Sequence, residues 1–191
     1  MSRERSTEWI FVGIVIVIGA AILVKTVRFN RYDGNVNVTI VKQKGGIPHL
    51  DTARRAASVK TIPVRTVNFK PGRMLENDQY GKLGYSTNFF LDVNSDFRVE
   101  KAARYRFNVW SDDGFRLKID GKTVCEHPGD RPYSRTGCTV ALSKGKHRFA
   151  LNYFQGGGPM GLKVTYADMS GKHAHLVGEN SDLMTFEKVR K

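Results

Sequence analysis

The sequence lacks the residue patterns that mark most enzymes and metal-binding modules. It contains no Gly-x-Ser-x-Gly, phosphate-binding-loop or dinucleotide-binding motif. It has only two cysteines, and its five histidines show no metal-ligating spacing with them. Internal repeats and low-complexity segments are also missing. The missing motifs predict a protein that is not an enzyme. A hydrolase of this kind would also need a second domain.

Acidic residues are also scarce, with 18 Asp and Glu against 31 Lys and Arg, which gives a net charge of +13. Residues 28–73 hold ten basic and two acidic residues, or +8 of that total. This stretch lacks the interleaved aromatic residues of a nucleic-acid surface, so no nucleic-acid partner is expected. Attraction to anionic lipid headgroups or cell-envelope polymers fits better, and a solvated linker fits equally well.

Two pieces of this basic stretch have the alternation of β-strands. Residues 36–40 alternate cleanly, and residues 59–69 do so less cleanly around Pro63. Because proline cannot donate a hydrogen bond to a neighbouring strand, Pro63 predicts an edge or broken strand. We assign residues 28–73 to a basic linker that can include the first strand of the following domain, whose boundary then lies near Tyr32 or near Val59.

The longest uncharged apolar run extends from Trp9 to Val24. Continued to residue 27 as a helix, it is roughly 28 Å long, close to the hydrocarbon thickness of a bilayer. A cleaved signal peptide is the alternative, but the run continues past the small residues 19–21, where cleavage would be expected. We assign residues 1–27 to a cytoplasmic tip and a transmembrane signal anchor. The remainder is expected on the extracytoplasmic side, periplasmic or extracellular, although Lys25, Arg28 and Arg31 by themselves favour the opposite orientation.

Residues 105–121 show the clearest strand pattern in the chain. Tyr105, Phe107 and Val109 share one face of a strand, and three further apolar residues, Phe115, Leu117 and Ile119, share one face of the next. An acidic turn, Asp112-Asp113-Gly114, separates the two runs, and a second turn follows at Asp120-Gly121. The pattern predicts a hairpin with one buried and one solvated side.

This segment resembles the protective-antigen domain, a lectin-like β-sandwich found in toxins, glycosidases and adhesins. The resemblance rests on the Tyr-x-Phe strand, the Ser-Asp-Asp-Gly turn, the strand ending in Asp-Gly, the Gly-Lys-His turn at 145–147 and the glycine-rich loop 156–161. It is specific over residues 105–166 and looser from residue 82. It implies an all-β fold, an antiparallel β-sandwich, which together with the apolar run at 9–24 gives a sandwich preceded by one transmembrane helix. We place the sandwich at residues 74–170 and a C-terminal extension at 171–191.

The resemblance also implies a calcium site at the acidic turn. In lectin members of the family, two adjacent aspartates joined by a cis peptide hold calcium together with a side-chain amide and backbone carbonyls, and sugar hydroxyls bind the ion. The matching residues here are Asp112, Asp113, Gln155, Gly157 and Pro159. Such a site suits calcium, which prefers six to eight oxygen ligands. The alternative is that the acidic pair simply forms a good turn.

Cys125 and Cys138 lie across one excursion of the chain, each next to a strand. We expect a disulfide, worth about 3 kcal/mol for a loop of this size in the chain-entropy model, rather than two unpaired thiols. Such a bridge also favours export. Trp110, Arg131, Tyr133 and Arg135 are the candidate ligand-binding residues, although Trp110 fits a core position equally well and the excursion can be simple solvated loop.

Together these features predict a membrane-anchored, non-catalytic module that recognises carbohydrate, a glycan or cell-envelope polymer, with calcium as a candidate cofactor. The alternative is a structural subunit of an envelope assembly such as a secretion, pilus or motor complex, which would bind other envelope proteins.

Overall fold

The computed structural model of the chain describes residues 34–170 and 173–189. The predicted anchor, residues 1–27, lies outside them. Among the residues described, no helix is long and apolar enough to cross a membrane. The described residues belong to one compact unit.

The described residues form an antiparallel β-sandwich of two sheets, which confirms the predicted all-β sandwich. Sheet 1 has the strand order β2-β1-β6-β11-β8-β9, with β14 also paired to β6; sheet 2 has the order β10-β7-β12-β3-β4-β5, with β13 also paired to β12. The strands are β1 (Val36–Gln43), β2 (Ala56–Val64), β3 (Asn68–Gly72), β4 (Glu76–Asn77), β5 (Gly81–Lys82), β6 (Phe89–Val99), β7 (Ala103–Asp112), β8 (Phe115–Ile119), β9 (Lys122–His127), β10 (Ser134–Leu142), β11 (Gly145–Gln155), β12 (Met160–Asp168), β13 (His175–Leu176) and β14 (Met184–Phe186).

The stretch assigned to a basic linker contributes three strands, β1 to β3, to the two sheets. Its alternate apolar residues are buried, with Val36, Val38 and Ile40 fully inaccessible, so the positive charges project outward from an integral part of the sandwich. Pro63 lies on β2, the edge strand of sheet 1, as the sequence predicts. At the other end of the chain, β13 and β14 add short strands from the segment assigned to an extension.

The predicted hairpin at the acidic turn is wrong, although the buried faces on both sides of it are confirmed. β7 pairs with β10 and β12 in sheet 2, whereas β8 pairs with β9 and β11 in sheet 1. The turn therefore carries the chain from one sheet to the other. Alternation identifies the buried face of a strand but not its partner, and two inner faces of a sandwich have the same pattern as the two strands of a hairpin.

The core lies between the inner faces of the two sheets and is rich in aromatic residues. Its fully buried large side chains include Tyr105, Phe107, Phe149, Tyr153 and Tyr166. Phe107 packs against Phe149 of the opposite sheet, with ring centroids 6.2 Å apart. This aromatic packing fixes the separation of the sheets and thus the position of the loops at their ends.

A second, smaller apolar cluster lies outside the sandwich, where residues 44–55 fold over the outer face of sheet 1. Ile47 and Leu50 of this covering loop pack with Val41, Phe90 and Phe154. Two arginines hold the loop in place: Arg54 lies over the Phe90 ring and pairs with Asp92, and Arg116 pairs with Asp51 at 2.8 Å. The covering loop also reaches the excursion, since the Leu50 N–H donates to the Pro128 carbonyl at 2.8 Å.

The register places the acidic turn at the end of the sandwich opposite to the start of the described chain. Lys42 pairs with Phe89, and Phe89 with Gln155, so the last residues of β1 and β11 lie near the turn. Val36 lies at the other end of β1, and the Val189 N–H donates to the Gly34 carbonyl there. We call the end with the acidic turn the loop end and the other the terminal end.

Candidate functional site

The acidic turn is buried although it lies at a loop. Asp112 is 8% exposed and Asp113 is 3% exposed, and the peptide bond that joins them is cis. The sheet crossing explains this burial, because the turn passes over the end of the core instead of projecting from the tip of a hairpin.

Hydrogen bonds from three directions hold the turn. The Ser111 hydroxyl donates to the Asp113 carbonyl at 2.6 Å, and the Tyr153 hydroxyl donates to the Asp112 carbonyl. The Gly156 N–H donates to the Asp113 side chain at 2.8 Å. The backbone and one carboxylate of the turn are thus fixed by β7, by β11 and by the loop that follows β11.

A third carboxylate, that of Asp130, lies beside the pair. Burial, a hydrogen bond to Asp130 and the charges of Asp130 and Asp112 together raise the pKa of Asp113 to about 7, against the lowering effect of the Gly156 N–H. Burial, followed by the charge of Asp130, also raises the pKa of Asp112, against a hydrogen bond from the Tyr133 backbone and the charge of Arg131, which lower it. No ion pair in the described part of the chain includes either member of the pair. The site is therefore a crowded set of acidic oxygens that a cation would stabilise.

Gln155 organises the loop that follows it. The residue is fully buried, and its side-chain nitrogen donates to the Gly157 and Pro159 carbonyls, both at 2.9 Å. Its side-chain oxygen accepts a hydrogen bond from the Tyr153 hydroxyl at 2.7 Å. Gln155 thus connects the glycine-rich loop to the residue that holds Asp112, and both carbonyls predicted as ligands are fixed by it.

Two glycines allow the chain segments around the turn to approach each other. A Cβ atom on Gly114 would lie 2.4 Å from the His127 carbonyl oxygen and 2.6 Å from that of Gly129. A Cβ atom on Gly156 would lie 2.8 Å from the Ile47 carbonyl oxygen. Real Cβ atoms do not come this close to backbone oxygens, so the contacts of the turn with the excursion and with the covering loop require glycine.

The ligand atoms at the turn are of the kind that calcium prefers, but the protein supplies only part of a calcium coordination shell. Within residues 34–170 and 173–189, no group of three or more His, Cys, Asp or Glu side chains is placed to hold a metal ion. Two carboxylates, backbone carbonyls and external oxygens are nevertheless the ligands that calcium accepts. An ion at this turn would keep positions for water or for hydroxyls of a ligand.

Arg131 and Tyr133, two predicted ligand residues, are largely engaged within the protein. The Arg131 guanidinium lies 5.2 Å from the Phe115 ring centroid and donates to the Ser111 hydroxyl at 2.7 Å. The Tyr133 ring lies where a side chain on Gly161 would be, and burial raises the pKa of its hydroxyl. These two residues fasten the excursion to the sandwich beside the acidic turn.

Trp110 and Arg135 lie instead on the outer face of sheet 2. Trp110 is half-buried, pairs across the strands with Arg135 and Lys163, and has the Lys163 ammonium 4.2 Å from its ring centroid. The core position considered for Trp110 is therefore not the one it occupies. Trp110 precedes Asp112 by two residues on β7, and Arg135 lies opposite Trp110 on β10. Both residues are therefore near the turn without being part of it.

Sequence reasoning missed Asp130 and Tyr153. Asp130 follows Pro128-Gly129 in the excursion, and nothing in that local pattern indicates that the excursion folds back onto the turn. Tyr153 reads as a core aromatic at an alternating position, and its ring is indeed buried; only the structure shows its hydroxyl contacts with the turn.

Comparison with solved structures supports the fold. The sugar-binding PA14 domain of an RTX adhesin is 17% identical, with a TM-score of 0.60 over 74% of this chain and 93% of that one. The PA14 domain of the antifreeze protein MpAFP is 12% identical, with a TM-score of 0.59 over 76% and 88%. The A domain of epithelial adhesin 9 from Candida glabrata, solved with Galβ1-3GlcNAc, is 9% identical, with a TM-score of 0.59 over 80% and 89%.

These identities are low enough that the structural matches show the fold alone. No curated protein matches the sequence. The model of the PA14 domain family, however, matches residues 74–180, which is more than half of the chain. The chain therefore belongs to the PA14 domain family.

Proposed function

We propose that this protein is a non-catalytic carbohydrate-binding module whose acidic turn holds a calcium ion to which glycan hydroxyls bind. The observation that carries the proposal is the burial of Asp112 and Asp113 beside Asp130 without an ion pair among the described residues. Buried carboxylates that repel one another destabilise the folded protein unless a proton or a cation lies between them. A divalent ion satisfies both members of the pair at once.

Asp112 and Asp113 would supply charged ligands, and the Gly157 and Pro159 carbonyls, fixed by Gln155, would supply neutral ones. A calcium ion held there would supply coordination positions for sugar hydroxyls. The protein residues hold the loop, exclude bulk water from the turn and keep the carboxylates in place. The relatives support this reading, since an RTX adhesin domain is described as sugar-binding and the Candida adhesin domain was solved with a disaccharide.

The apolar run from Trp9 to Val24 supports the further proposal that residues 1–27 anchor the chain in a membrane, with the remaining residues on the extracytoplasmic side. The disulfide between Cys125 and Cys138 agrees with an oxidising compartment.

The alternative, a structural subunit that binds other envelope proteins, would be favoured by a large apolar surface. The exposed large hydrophobic residues of the described part are only Val59, Met74 and Met169, and they do not follow one another in the chain or share a strand. Carbohydrate binding at the acidic turn is therefore better supported than protein binding at an apolar surface.

Calorimetric titration of the full chain with calcium, in neutral detergent, tests the proposal. We expect saturable binding that Asp113→Asn abolishes and that Asp182→Asn, a change at an exposed carboxylate, leaves intact. Galβ1-3GlcNAc is the first glycan to test, with and without calcium. No calcium binding up to millimolar concentration would reject the calcium-dependent mechanism, and interaction with other envelope proteins would then be the function to test.

A further inference from the structure

The outer face of sheet 2 carries four cations on three neighbouring strands. Arg104 and Arg106 project from β7, Arg135 from β10 and Lys163 from β12, around the half-buried Trp110. We call these five residues the cationic face. The other outward positions of these three strands are Asn108, Asp112, Gly137, Thr139, Ala141, Gly161, Thr165 and Ala167, and Asp112, 8% exposed at the end of β7, is the acidic residue among them.

The register gives this face a defined shape. Arg135, Trp110 and Lys163 form one row across three strands, and Arg106 lies between Thr139 and Ala167 in the third row, beyond the row of Asn108. Arg104 is two residues further along β7, opposite Ala141. With strands about 4.8 Å apart and outward residues about 6.6 Å apart, the face is about 20 Å long and about 10 Å wide.

The four cations have no ion-pair partner among residues 34–170 and 173–189. The acidic residues of the adjoining strands are already engaged, because Lys70 pairs with Glu76 at 3.3 Å and with Asp78 at 2.9 Å. The face therefore presents an uncompensated positive potential to solvent.

The residues between the cations on β10 are small and exposed: Gly137, Thr139 and Ala141. Thr165 and Ala167 of β12 are buried, so the open part of the face follows β7 and β10 and suits an extended ligand better than a compact one. It has no large aliphatic side chain to insert into a membrane. Its one aromatic ring is covered by Lys163, whereas single-stranded nucleic acid requires several rings on which bases stack.

We propose that the cationic face binds a linear anionic polysaccharide whose carboxylates pair with Arg104, Arg106, Arg135 and Lys163. Arginine forms two parallel hydrogen bonds to a carboxylate, and a polyuronate presents carboxylates at regular intervals along an extended chain. The cationic face shares with the acidic turn only the class of ligand. It requires no calcium, and its ligand is held by charge along the sheet instead of by hydroxyls at the loop end.

Binding of the full chain to polygalacturonate tests this inference, in neutral detergent at pH 7.5 with 50 mM NaCl and a calcium chelator. The variant Arg104→Gln/Arg106→Gln removes two cations of the face. The matched control, Arg55→Gln/Arg98→Gln, removes two exposed arginines of sheet 1 and its covering loop that also lack an ion pair among described residues. We expect the first variant to weaken binding at least tenfold and the control variant to weaken it less than threefold. Wild-type binding should also be weaker in 300 mM NaCl than in 50 mM NaCl, because salt screens the charges.

Neutral dextran should not bind, and Asp113→Asn should bind polygalacturonate like the wild type even though it loses calcium. The second variant, Arg135→Gln/Lys163→Gln, should repeat the loss and protects the test against a folding defect in the first. Equal weakening by the control, no binding of polygalacturonate, or tighter binding of oligothymidylate or phosphatidylserine vesicles would each overturn the proposal. A negative result here leaves the calcium titration of the acidic turn as a separate question.

Discussion

The disulfide between Cys125 and Cys138 joins the two edge strands that lie on the same side of the sandwich. Cys125 lies on β9, the last strand of sheet 1, and Cys138 on β10, the first strand of sheet 2, with their Cα atoms 5.7 Å apart. The predicted bridge is therefore confirmed, and it connects the sheets as well as closing the excursion. The excursion carries Asp130 and Arg131 to the acidic turn, so the bridge also supports the candidate site.

Replacement of both cysteines by serine should lower the free energy of unfolding by about 3 kcal/mol, because the bridge closes a loop of 13 residues. Urea denaturation of wild-type and double-variant protein measures the difference. Dithiothreitol should destabilise the wild type by a similar amount and leave the variant unchanged. Equal stability of the two proteins would contradict the assignment of the bridge as a structural element.

The sequence predicted the β-sandwich and most of its strands because burial imposes alternation within each strand. Phe115, Leu117 and Ile119 are buried as predicted. The same alternation cannot tell which strand lies next to which, and so the acidic turn was predicted as a hairpin tip. The position of Asp130 escaped prediction for a related reason, since it depends on long-range contacts of the excursion, such as the Leu50–Pro128 hydrogen bond.

The raised pKa of Asp113 makes the calcium-free domain less stable at high pH. Its folded-state pKa of about 7 exceeds the unfolded value of 3.8, so between these values the folded state binds more protons. The contribution of this group to the free energy of unfolding is thus largest below pH 4 and is lost as the pH rises through 7. In a calcium chelator, Asp113→Asn should stabilise the protein at pH 8 by about 2 kcal/mol and flatten this dependence.

Thermal or urea unfolding between pH 4 and 8 measures this effect. Asp182→Asn is the matched control, because that carboxylate is exposed, and it should keep the wild-type pH dependence. A wild-type stability that rises from pH 5 to 8 in step with the titration of Asp113 would contradict the assignment.

Calcium binding should depend on the same proton. Because Asp113 must be ionised to hold the ion, the apparent calcium affinity should rise about tenfold between pH 6 and 8 for a group with a pKa of about 7, and level off above pH 8. Calorimetry at pH 7 in two buffers of different ionisation enthalpy should show release of about half a proton per ion. An affinity independent of pH would place the ion away from Asp113.

The glycine of the acidic turn should be the least tolerant of substitution. Gly114→Ala would place a Cβ atom 2.4 Å from the His127 carbonyl oxygen, and both segments are held by paired strands, so relief requires the backbone to move. Overpacking of this kind costs about 2–3 kcal/mol.

Gly129→Ala is the matched control, since a Cβ atom there meets no atom within 4 Å. Urea unfolding should show the loss for Gly114→Ala and less than about 1 kcal/mol for Gly129→Ala. Calcium affinity should fall with the first variant alone, because only that substitution separates the turn from the excursion that carries Asp130. A Gly114→Ala protein as stable as the wild type would show that the excursion can move away from the turn, and the crowding of carboxylates on which the calcium site depends would then be lost.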